Sequence, residues 1–121
     1  MCGIFIDLEK AFDTVNHEIL CDKLNYYGLR GNVNCLIRSY LSGRKQYVSI
    51  DGFDSELRDL NCGVPQGSSL GPLLFLLYIN DFHFCLNNAS SGHFADDTYM
   101  LYGSKSLETI ETVMNTELEL V

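Results

Sequence analysis

Phe94-Ala95-Asp96-Asp97-Thr98-Tyr99-Met100-Leu101-Tyr102 sets two adjacent carboxylates inside an otherwise apolar run. Apolar residues on both sides of the pair predict two strands meeting at a tight turn that carries the acids. A buried strand excludes an ionised carboxylate unless it is paired, hydrogen-bonded or bound to a metal, so Asp96 and Asp97 require a compensating charge on this reading. Residues 2–8 (CGIFIDL) are a second short, β-branched stretch, with Asp7 as its one acid. They predict a buried strand ending in a carboxylate.

Working outward from these strands, apolar Ile19, Leu20, Leu24 and Tyr27 recur at helical spacing after Asn16, a candidate N-cap, and Gly28 is placed to end that helix. Val33, Leu36, Ile37, Tyr40 and Leu41 predict a second helix closed by Gly43. Residues 46–50 and 53–60 read as the arms of a hairpin turning at Asp51-Gly52. Residues 62–69 (CGVPQGSS) form a loop, and 70–86 predict one buried helix with Pro72 in its first turn. Ser106 caps a final helix whose stripe of Leu107, Ile110, Met114, Leu118 and Val121 lies opposite its glutamates. This order predicts an α+β fold, an antiparallel sheet with helices packed on one face, as a single domain over residues 1–121.

The formal charge of −8 argues against a stand-alone nucleic-acid binder, which needs clustered Lys and Arg. The excess acid is unevenly spread, however: Glu108, Glu111, Glu117 and Glu119 lie in the last helix, and Asp7, Asp96 and Asp97 stand apart as candidate ligands. The cysteines Cys2, Cys21, Cys35, Cys62 and Cys85 form no zinc pattern with His17, His83 or His93 and read as reduced, buried small hydrophobes. No signal-peptide pattern opens the chain, and the apolar run 73–79 is far below the roughly 20 residues of a membrane span, so an intracellular location is expected, without a membrane partner. The glycosylation triplet Asn88-Ala89-Ser90 carries little weight in that setting.

If the strands bearing Asp7 and Asp96-Asp97 are sheet neighbours, three carboxylates converge, and crowded like charges call for hard cations such as Mg²⁺. Two such ions suit in-line phosphoryl displacement. Taken alone, an Asp-Asp pair is more often a solvated turn and Asp7 an exposed strand end. Three ordered motifs alter that balance: Phe5-Ile6-Asp7-Leu8-Glu9-Lys10-Ala11-Phe12-Asp13, then Gly63-Val64-Pro65-Gln66-Gly67-Ser68-Ser69-Leu70-Gly71-Pro72-Leu73-Leu74-Phe75, then Phe94-Ala95-Asp96-Asp97.

Together these resemble the palm motifs A, B and C of reverse transcriptases. The middle motif, its continuation Leu77-Tyr78-Ile79-Asn80-Asp81 and the stretch Asp13-Thr14-Val15-Asn16-His17 look most like the non-LTR, LINE-type retrotransposon polymerases of the jockey group. The resemblance implies a polymerase palm fragment lacking fingers and thumb. It implies RNA-directed DNA polymerase activity in retrotransposition: nucleotidyl transfer from a dNTP to a primer 3′-OH, with an RNA template, a DNA primer and dNTPs as partners. Asp7 and Asp96 would be the principal ligands of two Mg²⁺ ions, or Mn²⁺ in their place, with Asp97 beside them and the Leu8 carbonyl assisting. Phe12 would be the aromatic steric gate under the incoming sugar, a rigid face that discriminates by clash. Gln66 and Gly67 would contact the incoming nucleotide and the template-side backbone, with Phe94 and Ala95 flanking the primer end. Lys10 and Arg44-Lys45 are candidate phosphate contacts, though as bare cations they read as solvated surface. Two alternatives stay open. One is a truncated, catalytically inactive retroelement remnant with at most a binding role; the other is an RNA-dependent RNA polymerase palm, against which Phe12 argues.

Overall fold

The computed structural model describes residues 1–121. In chain order its elements are β1 (Cys2–Asp7), α1 (His17–Tyr26), α2 (Asn32–Leu41), β2 (Lys45–Gln46), β3 (Ser49–Ile50), β4 (Phe53–Asp54), β5 (Arg58–Asp59), α3 (Leu70–Ile79), a 3₁₀ turn (Phe82–Cys85), β6 (Ser90–Phe94), β7 (Asp97–Tyr102) and α4 (Leu107–Leu120). This is a mixed helix and sheet arrangement, as the α+β expectation has it. The chain divides into two compact units, one of Met1–Ala11 with Ile79–Val121 and one of Phe12–Tyr78.

In the first unit, β1, β7 and β6 form an antiparallel sheet in the order β1-β7-β6. Met100 of β7 and Ile110 and Met114 of α4 make its core, with Cys2, Ile4, Ile6, Phe82, Leu86, Ala89 and Tyr102 packed around them. Ser106 caps α4 by accepting from the Thr109 backbone N–H. Only one face of the sheet is covered, which corrects the expectation of a buried β1. Its residues alternate between half-buried and exposed, and Phe5 is 82% exposed. Alternation of one covered and one open face is ordinary for an antiparallel sheet. The stripe predicted for α4 is also revised. Leu107 and Leu118 are exposed, whereas Glu117, assigned to the solvent face, is buried and accepts from the backbone N–H groups of Asn87 and Asn88.

In the second unit, Asn16 caps α1 as predicted, its side chain accepting from the N–H groups of Glu18 and Ile19. The same helix ends in a Schellman arrangement: Leu29 N–H reaches Leu24 O, Gly28 N–H reaches Asn25 O, and Gly28 has φ +95°. Leu20, Cys21 and Leu24 of α1 are buried, together with Leu41 of α2 and Leu74 and Phe75 of α3. The predicted hairpin forms as two short ladders, β2 with β5 and β3 with β4, turning at Asp51 and Gly52, whose φ values are both positive as a type I′ turn requires.

Three further expectations are corrected. The single helix over 70–86 ends at Ile79, and Phe82–Cys85 is a separate 3₁₀ turn. Hydrophobicity alone carried that extension, and a continuous apolar run does not say where helical hydrogen bonding stops. Nor is α3 buried all round, since Leu70, Leu73 and Leu76 are exposed. Of the five cysteines only Cys21 is buried, its thiol pushed up in pKa by burial, while Cys35, Cys62 and Cys85 are exposed.

Candidate functional site

The strands carrying the acids are direct neighbours. In the β1–β7 ladder Asp7 stands opposite Asp97, and in the β6–β7 ladder Phe94 stands opposite Asp97. The hairpin therefore closes through a two-residue loop, Ala95-Asp96, with the acids at a tight turn as the sequence predicts. Ala95 has φ +55°, the sign that the first loop position of a type II′ turn demands and that glycine normally supplies. Asp7, Leu8, Ala95, Asp96 and Asp97 thus all lie in the first unit, at one end of its sheet.

Burial departs from the expectation: Asp7, Asp96 and Asp97 are all exposed. The reason is strand parity. Side chains alternate faces with period two, so Asp7 and Asp97 share the open face with Phe5 and Tyr99, while Ile4, Ile6 and Met100 point to α4. Desolvation is therefore not what calls for a compensating charge. Another effect remains, because like charges directly opposite on an antiparallel pair destabilise it. None of the three carboxylates takes part in a salt bridge.

No three carboxylate, imidazole or thiol groups are gathered at metal-ligand spacing. The donors nevertheless fit a hard divalent cation in kind, being carboxylate oxygens, and in backbone placement, being cross-strand and turn neighbours.

Phe12, Gln66 and Gly67 lie in the second unit. Phe12 is half-buried and packs its ring on Phe75, with centroids 4.6 Å apart. Its carbonyl accepts from the Val64 N–H at 2.7 Å, which ties the first motif to the second. Gln66 is exposed and donates through Nε2 to Asp13 Oδ1 at 2.9 Å. Gly67, at φ +74°, occupies a conformation that L side chains rarely adopt. The loop then folds onto the start of α3, where Ser68 Oγ donates to Pro65 O and accepts from Gly71 N–H. Gly71 is required there, since a Cβ would stand 2.2 Å from the Pro65 carbonyl oxygen.

Among the basic residues, Arg44 lies over the Tyr40 ring and Lys45 pairs with Asp59, so both have local partners. Sequence reading passed over Phe5 and Tyr99 as part of the apolar background. They lie on the acids' own face, their ring centroids 6.3 Å apart. The signal was present in their parity, since each is two positions from an aspartate on its own strand. It also left Asp13 without a role, although this residue holds Gln66.

The order of the three motifs can be set against known proteins. A family model described as "Reverse transcriptase (RNA-dependent DNA polymerase)" matches residues 1–120. Over 112 residues the chain is 34% identical to the RNA-directed DNA polymerase from mobile element jockey of Drosophila melanogaster, covering 87% of this chain and 12% of that protein. It is 36% identical over 116 residues to the probable RNA-directed DNA polymerase from transposon BS of the same organism, covering 84% and 12%. It is 35% identical over 113 residues to the probable RNA-directed DNA polymerase from transposon X-element, covering 85% and 12%. The chain therefore spans about one eighth of the length of these relatives. A match that extends from the strand of Asp7 through the Gln66 loop to the Asp96-Asp97 hairpin places this chain in the reverse transcriptase family.

Proposed function

We propose that the chain is the motif A to C palm segment of an RNA-directed DNA polymerase of the jockey-like, non-LTR type, acting inside the cell in retrotransposition. The observation that carries this reading is the register Asp7 opposite Asp97 with Asp96 in the adjoining turn, in a chain whose family match spans residues 1–120. The relatives' printed activity, RNA-directed DNA polymerase, supports nucleotidyl transfer from a dNTP to a primer 3′-OH, with RNA as template.

Asp7, Asp96 and Asp97 would hold divalent cations, and the Leu8 carbonyl stands next along the chain as a further oxygen. When bound, a pair of Mg²⁺ ions supplies charge neutralisation and Lewis acidity for in-line displacement at phosphorus. The chain's own residues bind and orient. Phe12, braced by Phe75, offers a rigid face to the incoming sugar and rejects a 2′-hydroxyl by clash. Gln66 contacts the incoming nucleotide, and Gly67 lets a backbone approach closely. Ala95, small and exposed at the turn, leaves room for the primer end.

The test is Mg²⁺-dependent primer extension on an RNA template by the polymerase that contains this segment, with and without Asp96→Asn. Loss of a metal ligand from phosphoryl transfer should lower kcat by about 10³-fold or more. An unchanged rate in the variant overturns the metal role. Absence of synthesis by the parent, with the fold retained, assigns the segment a binding role only.

A further inference from the structure

Two loops far apart in sequence are laced together around Asp13. Gly63 N–H donates to Val15 O and Val64 N–H to Phe12 O, both at 2.7 Å, so the two bonds bracket residues 13 and 14. His17 Nε2 lies 2.7 Å from Gly63 O and adds a third link. The approach is close enough that a Cβ on Gly63 would stand 2.7 Å from the Asp13 carbonyl oxygen. The backbone that carries Asp13 is thereby fixed relative to the loop that carries Gln66. Across this lacing the Gln66 Nε2 donates to Asp13 Oδ1 at 2.9 Å.

An exposed glutamine amide ordinarily has two orientations that differ by exchange of its oxygen and nitrogen, and neither is favoured without a partner. A carboxylate removes that freedom, because it only accepts. The nitrogen end of Gln66 must face Asp13, and Oε1 must turn away from it. We propose that Asp13 is a positioning residue that holds the Gln66 carbonyl oxygen outward as an acceptor for a donor group of the incoming nucleotide. The sugar hydroxyl is the donor common to all four nucleotides. This rests on the reading of Gln66 as a nucleotide contact. It goes beyond that reading by assigning the polarity of the contact and the residue that sets it.

The experiment measures dNTP KM and kcat in primer extension by the polymerase that contains this segment, comparing the parent with Asp13→Ala, Asp13→Asn, Gln66→Ala and the Asp13→Ala/Gln66→Ala pair. Asp13→Ala should raise KM roughly three- to tenfold with kcat within about twofold, the loss of one charge-assisted hydrogen bond being felt in binding. Asp13→Asn, which accepts either amide orientation, should fall between the parent and Asp13→Ala. The double variant should be no worse than Gln66→Ala, because Asp13 acts only through that residue. The side-chain amide resonances of Gln66 in the 121-residue chain should shift in Asp13→Ala. An unchanged KM in Asp13→Ala beside a raised KM in Gln66→Ala overturns the positioning role and leaves Gln66 as a nucleotide contact. An unchanged KM in Gln66→Ala overturns the nucleotide contact, and the inference with it. Additive losses in the double variant, or amide resonances indifferent to Asp13→Ala, assign Asp13 a merely structural role and also overturn the inference.

Discussion

Replacing Glu117 by alanine should destabilise the first unit more than any other single truncation on the outer turns of α4. The carboxylate is 1% exposed. Oε1 accepts from Asn88 N at 2.7 Å and Asn88 Nδ2 at 3.2 Å, and Oε2 accepts from Asn87 N at 3.0 Å. Burial by itself pushes the pKa of Glu117 up, but the backbone N–H groups of Asn87, Asn88 and Ala89, with the Asn88 side chain, outweigh burial and leave it below the ordinary carboxylate value. Each hydrogen bond to a charged group contributes about 1.5–3 kcal/mol net, and part of this returns when the freed N–H groups of the turn are hydrated, so Glu117→Ala should lose about 2–4 kcal/mol. Because a domain of this size holds only about 5–15 kcal/mol in total, the change should lower the melting temperature by roughly 10 °C. Glu117→Gln keeps an acceptor but loses the charge and brings a second donor to the Asn88 amide, so it should lose roughly half as much.

The pH dependence has a definite sign. A folded-state pKa below the unfolded one means that the contribution is fully present above the unfolded value of about 4.5 and is lost as pH falls through the folded value. The Glu117→Ala and parent curves should therefore converge in acid. Urea unfolding followed by circular dichroism at neutral and acid pH measures both effects. A loss below about 0.5 kcal/mol at neutral pH, or a gap that does not narrow in acid, would refute the reasoning.

Two further outcomes follow from backbone conformation. Gly63→Ala combines a φ of +86° with a Cβ 2.7 Å from the Asp13 carbonyl oxygen, and should cost about 3 kcal/mol in equilibrium unfolding; a variant as stable as the parent would contradict the described loop geometry. Ala95→Gly relieves the φ of +55° at the acid turn and should stabilise the chain by up to about 1 kcal/mol in thermal melts, whereas a destabilised variant would speak against that turn.

How much of this was legible in the sequence varies with the range of the interaction involved. The caps Asn16 and Ser106, the Gly28 helix end and the Asp51-Gly52 turn were all readable, because each depends on residues a few positions away. The acid hairpin was readable for the same reason, since a polar pair between apolar arms marks a turn within a residue of its place, the loop itself being Ala95-Asp96. What escaped was long-range. Glu117 looked solvated because its helical stripe placed it among glutamates, and nothing nearby announces a turn 30 residues earlier waiting to donate to it. The open face of β1 escaped because hydrophobicity reports what can be buried, and Phe5 is apolar yet exposed. In the candidate site, the adjacency of the Asp7 and Asp97 strands was legible as a condition. The tie from Asp13 to Gln66 spans 53 residues and had no local sign at all.

The alternation of β7 sets different tolerances for two kinds of genetic change. Substitutions on its open face, at Tyr99 or Leu101, meet solvent and neighbouring side chains that can adjust. Deletion of a single residue within the strand is another matter, because it exchanges the two faces downstream of the gap. With the lost residue near the start of the strand, Tyr99 and Leu101 would turn toward Ile110 and Met114, and Met100 would turn out to water. The length of this six-residue strand, as much as its composition, therefore decides which of its side chains reach the core.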